Sequence, residues 1–308
     1  MNDLTRSRTV SAIAILVLAL GTASPASAIP LMQPGELEKL PAKPADYILK
    51  YGNRPSQFGE LRVPPGKGPH PVVVLIHGGC WEQRYASLRD LAAMADALKA
   101  AGIATWNIEY RRLGEPGAGW PGTFLDVGTA IDHLRSLAKP YRLDLNRVVV
   151  LGHSAGGQLA HWSGARAKLS PTSAVYVRHP FKPRGIINLV GRMNMSAGIE
   201  AYEELCRDRV VHKLLGGAPE TVPDRYHDAS PIDLLPLHVP QTLIWDDHED
   251  FVPAPLLNSY VMAARRAGDR VEVIEIRNAG HFEAASPLSH AWPRVLRAIR
   301  RLLGPRTA

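Results

Sequence analysis

Long apolar runs alternate with amphipathic segments along most of this chain. The apolar runs are HPVVVLIHGG, IATWNIEYR, RVVVLGHS, GIINLVG, QTLIW and VEVIEIR, and most of them are rich in β-branched residues. The segments between them repeat apolar residues at helical spacing, as in SLRDLAAMADALKAAG, where Gly102 marks a helix end. Strands that are apolar on both faces are buried on both faces. The pattern therefore predicts an α/β fold with a mostly parallel central sheet and helices on each side.

Three further parts of the chain have patterns of their own. QFGELRV lies in a region rich in proline and glycine and predicts an edge strand. Residues 192–240 have an irregular or helical pattern, and we interpret them as a small cap insertion. Near the carboxyl terminus, RVLRAIRRLL places arginines opposite apolar residues at helical spacing. That segment predicts a final amphipathic helix with a solvated basic face.

The first 28 residues resemble an export signal. Arg6 and Arg8 precede the apolar stretch VSAIAILVLAL, and small residues follow as far as Ala28. A charged start, a short apolar core and a small-residue end are typical of a secretory signal peptide. A membrane anchor would need about 20 apolar residues, more than this stretch contains. We therefore predict cleavage after Ala28, no stable membrane anchor, a secreted or periplasmic protein, and an α/β domain over residues 29–308.

Composition restricts the class of protein further. The chain has 308 residues, 45% of them hydrophobic and 21% charged, which is ordinary for a globular protein. The net charge of +7 is spread thinly, so we predict no nucleic-acid partner. Cys80 and Cys206 are the two cysteines, too few for a cysteine-based metal site. In an oxidising compartment they can form one disulfide, but their spacing leaves the pairing open.

The clearest chemical motif is a serine between glycines. Gly152 to Gly156 read GHSAG, a G-x-S-x-G motif that follows a predicted strand and opens a predicted helix. In that context glycines remove side chains that would collide in a sharp turn, and the turn presents the serine oxygen above the sheet. A tight turn with an incidental serine is the alternative. We predict that Ser154 is a nucleophile because other motifs accompany it.

A second glycine turn, HGGCW, ends an earlier strand. Backbone amides after such a glycine pair can stabilise a carbonyl oxygen that becomes negatively charged. We assign the amides of Gly79 and Cys80, together with that of Ala155 after the serine, to this oxyanion hole. A plain turn is the alternative, and we interpret His77 as a structural contact.

The base and the acid are expected near the end of the chain. His281, in GHF after the last predicted strand, follows the serine and the acidic loop in the order of triad members in α/β-hydrolases. His290, which we place inside the final helix, is the weaker candidate. After QTLIW the chain reads DDHED, and one carboxylate of this loop should orient the histidine.

Taken together, these motifs resemble the α/β-hydrolases of the esterase/lipase and prolyl-oligopeptidase-like group. The matching pieces are HGGCW, EYRRLGEPGAGWPGTFLDV, LGHSAGGQLA, LLGGAPETVPDRYHDASPIDLLPLHVPQTLIW and NAGHF, over most of residues 70–285. In that group the acid is usually an aspartate four residues before a proline in a glycine-led loop. Here the proline is Pro253, the position holds Glu249, and Asp246 replaces the glycine. We predict Glu249 as the acid, with Asp250 next and Asp247 third.

The resemblance implies a carboxylesterase-like serine hydrolase that acts on a small-molecule ester without a cofactor or a metal. HGG-x-W is also similar to kynurenine formamidases, so an amidase, formamidase or small peptidase with the same triad is the alternative. A non-catalytic binding protein on this scaffold is a third hypothesis. Trp81, Trp120 and Phe282 are candidate substrate-binding residues, for which core packing is the competing interpretation. The sequence leaves the oligomeric state open.

Overall fold

The computed structural model describes residues 30–305, so the predicted signal peptide lies outside the described residues. The strands are β1 (Tyr47–Lys50), β2 (Phe58–Arg62), β3 (His70–Ile76), β4 (Ala104–Ile108), β5 (Leu143–His153), β6 (Gly185–Leu189), β7 (Gln241–Asp246) and β8 (Val271–Ile276). The helices are α1 (Ala92–Ala100), α2 (Gly122–Asp132), α3 (Leu134–Tyr141), α4 (Ala155–Ala165), α5 (Ile199–Leu205), α6 (Val210–Leu215), α7 (Pro223–Ala229), α8 (Ala254–Arg266) and α9 (Trp292–Leu303). Short 3-10 turns lie at Leu37–Lys39, Leu88–Leu91, Arg166–Lys168, Pro231–Leu234 and Glu283–Ala285.

The eight described strands form one sheet in the order β1-β2-β4-β3-β5-β6-β7-β8. The six strands from β4 to β8 pair in parallel, whereas β2 runs antiparallel to both of its neighbours. The predicted mostly parallel sheet is confirmed. The prediction of an edge position for QFGELRV is wrong, because β1, an exposed four-residue strand that the sequence pattern did not reveal, covers the outer side of β2.

Burial on both faces of the sheet explains the continuous apolar runs. In β3, Val72, Val74 and Ile76 belong to one hydrophobic core. Val73 and Leu75, which point the other way, belong to a second core. Helices α2 and α4 contribute to the first core, and α1 and α9 contribute to the second. The sheet is therefore enclosed by helices on both sides, as the two-sided apolar pattern predicts.

Parallel topology brings loops from distant parts of the sequence to one edge of the sheet. The loops after β3, β5, β6, β7 and β8 all leave from the carboxyl ends of their strands, where active sites of open α/β sheets lie. Helices α5, α6 and α7 occupy the connection between β6 and β7, within the segment interpreted as an insertion. Its role as a cap stays a prediction. Within residues 30–305, none of the helices has the length and hydrophobicity needed to span a membrane.

Candidate active site

Ser154 occupies the turn between β5 and α4 with a strained backbone. Its φ of 54° and ψ of −121° lie in a region that a non-glycine residue rarely adopts. The glycines on either side make this turn possible. A Cβ on Gly152 would lie 1.9 Å from the carbonyl oxygen of Gly156, and a Cβ on Gly156 would lie 2.1 Å from that of Ile76. The motif therefore has the steric function that its sequence context predicts.

Three backbone amides near Ser154 carry no internal hydrogen bond. Within the described residues, the N–H groups of Gly79, Cys80 and Ala155 donate to no acceptor of the protein. Ala155 is the first residue of α4, where amides have no partner within the helix and attract negative charge. Gly79 and Cys80 adopt positive φ angles of 93° and 51° after β3. These are the three amides that the sequence motifs predict for an oxyanion hole.

His281 is hydrogen-bonded to one carboxylate of the acidic loop. Its Nδ1 lies 2.7 Å from Oε2 of Glu249, and the two side chains are 7% and 1% exposed. The other oxygen, Oε1, accepts the amides of Phe251 at 2.6 Å and Val252 at 3.1 Å. Asp250 is exposed on the surface. Among the predicted acids, Glu249 is therefore the one that can fix the orientation of the imidazole ring.

Asp247 and Asp246, the other carboxylates of this loop, have different surroundings. Asp247 accepts the amides of Asn278 and Ala279, which ties the acidic loop to the loop that carries His281. Asp246 ends β7 and is buried. Burial, together with the nearby carboxylates of Glu249 and Glu283, raises the pKa of Asp246 to about 8. At neutral pH this carboxyl is therefore largely protonated, so it adds little negative charge beside Glu249 and Glu283.

A cavity of about 600 Å³ brings the serine and the histidine together. Ser154, His281, Gly79, Cys80 and Phe282 all line it. Within residues 30–305, no hydrogen bond links the hydroxyl of Ser154 to the ring of His281 in this structure. Rotation about the Cα–Cβ bond redirects a serine hydroxyl, and catalytic hydrogen bonds often tighten only when substrate binds.

The aromatic residues predicted to bind substrate divide into two groups. Phe282 lines the cavity, together with Phe251, whose ring lies 4.2 Å from that of His281. Trp81 is fully buried and donates its indole N–H to Gln158 at 3.2 Å. Trp120 packs edge-on against Phe124 at 5.2 Å. Neither tryptophan belongs to the cavity wall, so core packing is the interpretation that the structure supports for both.

Two other histidines are not positioned to act on Ser154. His77 is fully buried, with Nε2 2.8 Å from Glu109 and its ring stacked on Tyr110, which agrees with a structural contact. The prediction that His290 lies inside the final helix is wrong, because α9 begins at Trp292. The Nε2–H of His290 donates to the carbonyl oxygen of Arg277, outside the cavity.

Sequence reasoning missed His153, whose ring contacts the backbone of His281. It lies within the G-x-S-x-G motif and is buried. Burial lowers the pKa of His153 to about 3, so the ring is neutral and its Nε2–H donates to the backbone carbonyl of His281 at 2.8 Å. The sequence contained one signal for this contact. His153 directly precedes Ser154, so it must lie close to the other residues of the site.

The cysteine pairing that the sequence left open is present. Cys80 and Cys206 form a disulfide across a sequence separation of 126 residues. The bond links the turn after β3, which carries two of the unpaired amides, to the end of α5 in the β6–β7 connection. Both cysteines line the cavity. The turn after β3 is therefore covalently linked to the β6–β7 connection at the wall of the cavity.

The fold and these motifs define an α/β-hydrolase of the esterase/lipase group. More narrowly, the chain belongs to the BD-FAE family, whose model matches residues 61–260.

Individual relatives are similar along different parts of the chain. Esterase LipC of Mycobacterium tuberculosis is 26% identical over 268 residues, which cover 82% of this chain and 64% of LipC. Kynurenine formamidase of Meyerozyma guilliermondii is 33% identical over 114 residues, 37% of this chain and 40% of that protein. The crystal structure of esterase B from Lactobacillus Rhamnosis superposes with a TM-score of 0.72 at 18% identity, over 87% of this chain and 90% of that chain. This chain thus spans less than two thirds of LipC.

Proposed function

We propose that this protein is an exported serine hydrolase that cleaves carboxylic esters through an acyl-enzyme intermediate. The observation that carries the proposal is the hydrogen bond of 2.7 Å between His281 and Glu249, at the cavity that Ser154 also lines. A carboxylate on one ring nitrogen leaves the other nitrogen to accept a proton from the serine. The similarity to LipC supports an ester as the substrate.

In the first half of the reaction, Ser154 attacks the ester carbonyl while Nε2 of His281 takes the hydroxyl proton. A bond forms between Oγ and the carbonyl carbon, and the electron pair of the C=O double bond moves to oxygen. The amides of Gly79, Cys80 and Ala155 stabilise that charge. When the tetrahedral intermediate collapses, the imidazolium protonates the leaving alcohol. Each oxyanion donor of this kind contributes about 2.7–4 kcal/mol to transition-state stabilisation.

In the second half, a water molecule replaces the alcohol. His281 removes one proton from the water, the resulting oxygen attacks the acyl carbon, and Ser154 leaves with the proton that the imidazolium returns. Glu249 stays ionised throughout and stabilises the positive ring. Its two backbone hydrogen bonds hold it in place during both halves.

Export is the second part of the proposal. The Arg-led apolar start and the small residues before Ala28 support cleavage by a signal peptidase. The Cys80–Cys206 bond supports an oxidising compartment, where such bonds persist. Expression of the full chain, followed by amino-terminal sequencing of the fraction outside the cytoplasm, tests this. A mature protein that begins at Ile29 is expected, and exclusively uncleaved cytoplasmic protein would contradict export.

Ester hydrolysis is tested with the mature protein on p-nitrophenyl esters of graded acyl length, beside aryl formamides and aminoacyl anilides. We expect the esters to give the highest kcat/KM and Ser154→Ala to abolish turnover with little change in Tm. A fluorophosphonate probe should label the wild-type protein and not the variant. Faster cleavage of formamides or anilides would favour the amidase alternative. Absence of both labelling and turnover would favour a binding protein.

A further inference from the structure

The histidine beside the proposed nucleophile connects the two segments that carry the nucleophile and the base. His153 is 3% exposed and lines the cavity, and its Nε2–H donates to the backbone carbonyl oxygen of His281 at 2.8 Å. We call residues 152–156 the serine turn and residues 277–282 the base loop. Within residues 30–305, this is the only hydrogen bond that joins the serine turn to the base loop.

A different set of hydrogen bonds fixes the base loop to the acidic loop. Asp247 accepts the amides of Asn278 and Ala279. Glu249 accepts the ring N–H of His281. These contacts determine how the acid and the base lie relative to each other. They do not determine how far the base lies from the nucleophile, because none of them reaches the serine turn.

Close packing around His153 fixes the position of its ring. A Cβ on Gly78 would lie 3.2 Å from Nδ1 of His153 and 2.9 Å from Cβ of Ser154, so the ring fills the space beside that glycine. On the other side, the rings of His281 and Phe282 lie 5.0 Å and 5.7 Å from the ring of His153. A side chain packed in this way has little room to move. The imidazole ring is therefore a spacer of fixed size between the serine turn and the base loop.

The charge of His153 suits this position during the reaction. Burial lowers the pKa of His153 to about 3, and the neighbouring ring of His281 contributes to the lowering. The ring of His153 is therefore neutral near neutral pH. It does not repel the imidazolium that forms on His281 in the proposed mechanism, and it keeps its hydrogen bond to the base loop in both protonation states of the base.

We propose that His153 is a positioning residue, which sets the distance over which His281 takes the proton of Ser154. The proposal rests on the function proposed above. A general base must lie within hydrogen-bond reach of the proton that it removes. A small displacement of the base loop away from the serine turn therefore slows both halves of the reaction. His153 keeps its own proton throughout, so the proton transfers described above are unchanged.

The first test compares two replacements of His153 on p-nitrophenyl acetate. His153→Phe keeps a ring and removes the donor, whereas the side-chain amide of His153→Gln reaches about as far as Nε2 and still donates. We expect His153→Phe to lower kcat about 10- to 10²-fold with KM changed less than ~3-fold, because a misplacement of about 1 Å can cost that much. His153→Gln should recover most of the lost kcat.

The matched control is His161→Phe. His161 is a fully buried histidine of α4 whose Nε2 lies 3.2 Å from Oε1 of Gln241, and it does not line the cavity. Its replacement also removes a buried hydrogen bond, so Tm should fall while kcat stays at the wild-type value. For His153→Phe, an unchanged kcat, a loss confined to KM, or a lost kcat that glutamine does not recover would overturn the proposal.

A double-mutant cycle with His281→Ala separates positioning from a general loss of structure. Without the imidazole of the base, residual turnover comes from the oxyanion hole and substrate binding, so the position of the base loop no longer matters. In this background His153→Phe should change the residual turnover less than ~2-fold. A loss as large as in the presence of His281 would mean that His153 acts independently of the base, which contradicts the proposal.

Crystal structures test the placement without turnover. In His153→Phe the ring of His281 should lie farther from Ser154 than in the wild-type protein, while its hydrogen bond to Glu249 is kept. A ring that has not moved would refute the positioning role. Because this measurement does not need ester hydrolysis, it is independent of the proposed function, whose failure would be recognised as wild-type protein without turnover that depends on Ser154.

His153→Asn replaces His153→Phe if the phenylalanine variant fails to fold. The amide of asparagine ends near the position of Nδ1, so it stays polar but does not reach the carbonyl oxygen of His281. Its kcat should fall as expected for phenylalanine, and a folded His153→Asn with wild-type kcat would rule out the proposal. Loss of folding in all three variants, glutamine included, would assign His153 to core packing and would equally rule it out.

Discussion

Removal of the Cys80–Cys206 bond tests how much this covalent constraint contributes to the free energy of unfolding. The perturbation is the double replacement Cys80→Ala and Cys206→Ala, which deletes both sulfurs and keeps the backbone amide of Cys80. The bond closes a loop with a sequence separation of 126 residues. For a loop of that length the chain-entropy relation gives about 5 kcal/mol of stabilisation, and removal of native disulfides typically costs ~2–5 kcal/mol.

Urea unfolding followed by tryptophan fluorescence measures this loss. The oxidised wild-type protein is compared with the double variant, and intact mass with thiol titration verifies that the wild-type sulfurs are bonded. We expect the free energy of unfolding to fall by about 2–5 kcal/mol in the double variant. Addition of a reductant should destabilise the wild-type protein and leave the double variant unchanged. A difference below ~1 kcal/mol between the two oxidised proteins would refute the reasoning.

Three further predictions concern the acidic loop and the serine turn. Glu249→Gln should reduce kcat by about 10⁴-fold, whereas Asp250→Asn should stay near wild type; the reverse ranking in ester kinetics would move the acid to Asp250. The raised pKa of Asp246 means that the folded protein holds a proton that the unfolded chain releases. The contribution of Asp246 to the free energy of unfolding therefore falls as pH rises from about 4 to 8, by ~1.4 kcal/mol per pH unit. Asp246→Asn should remove that decline in urea titrations at a series of pH values, and an unchanged slope would contradict it. Gly156→Ala places a Cβ 2.1 Å from a backbone carbonyl, so we expect loss of soluble protein; a variant with wild-type Tm would show that the turn can relax.

The polarity pattern was sufficient for most of the architecture because each buried strand and amphipathic helix leaves its own local signature. The runs that became β3, β5, β6 and β7 were recognisable as strands buried on both faces. β1 was not recognisable, since an exposed edge strand of four residues has no two-sided apolar pattern. Its presence explains why the predicted edge position of β2 was wrong.

The site shows the same division at the level of single residues. The glycines around Ser154 indicated a sharp turn, because steric demands of a turn are local. His281 was predicted from the order of the motifs along the chain. Glu249 was predicted, among the neighbouring carboxylates, because it lies four residues before Pro253. Trp81 and Trp120 were predicted as pocket residues because the sequence does not show whether the ring of an aromatic residue in a loop faces a cavity or the core.

By itself, the sequence determined the α/β-hydrolase fold, the strained serine turn and the short set of residues from which an acid and a base could come. Only the tertiary structure decided that Glu249 is the carboxylate bonded to His281 and that Cys80 is bonded to Cys206. The physical reason is the separation in sequence between the residues that interact. Secondary structure and turn geometry depend on neighbours in sequence, whereas a hydrogen bond or a disulfide between distant residues depends on how the packed sheet and its insertion bring their backbones together.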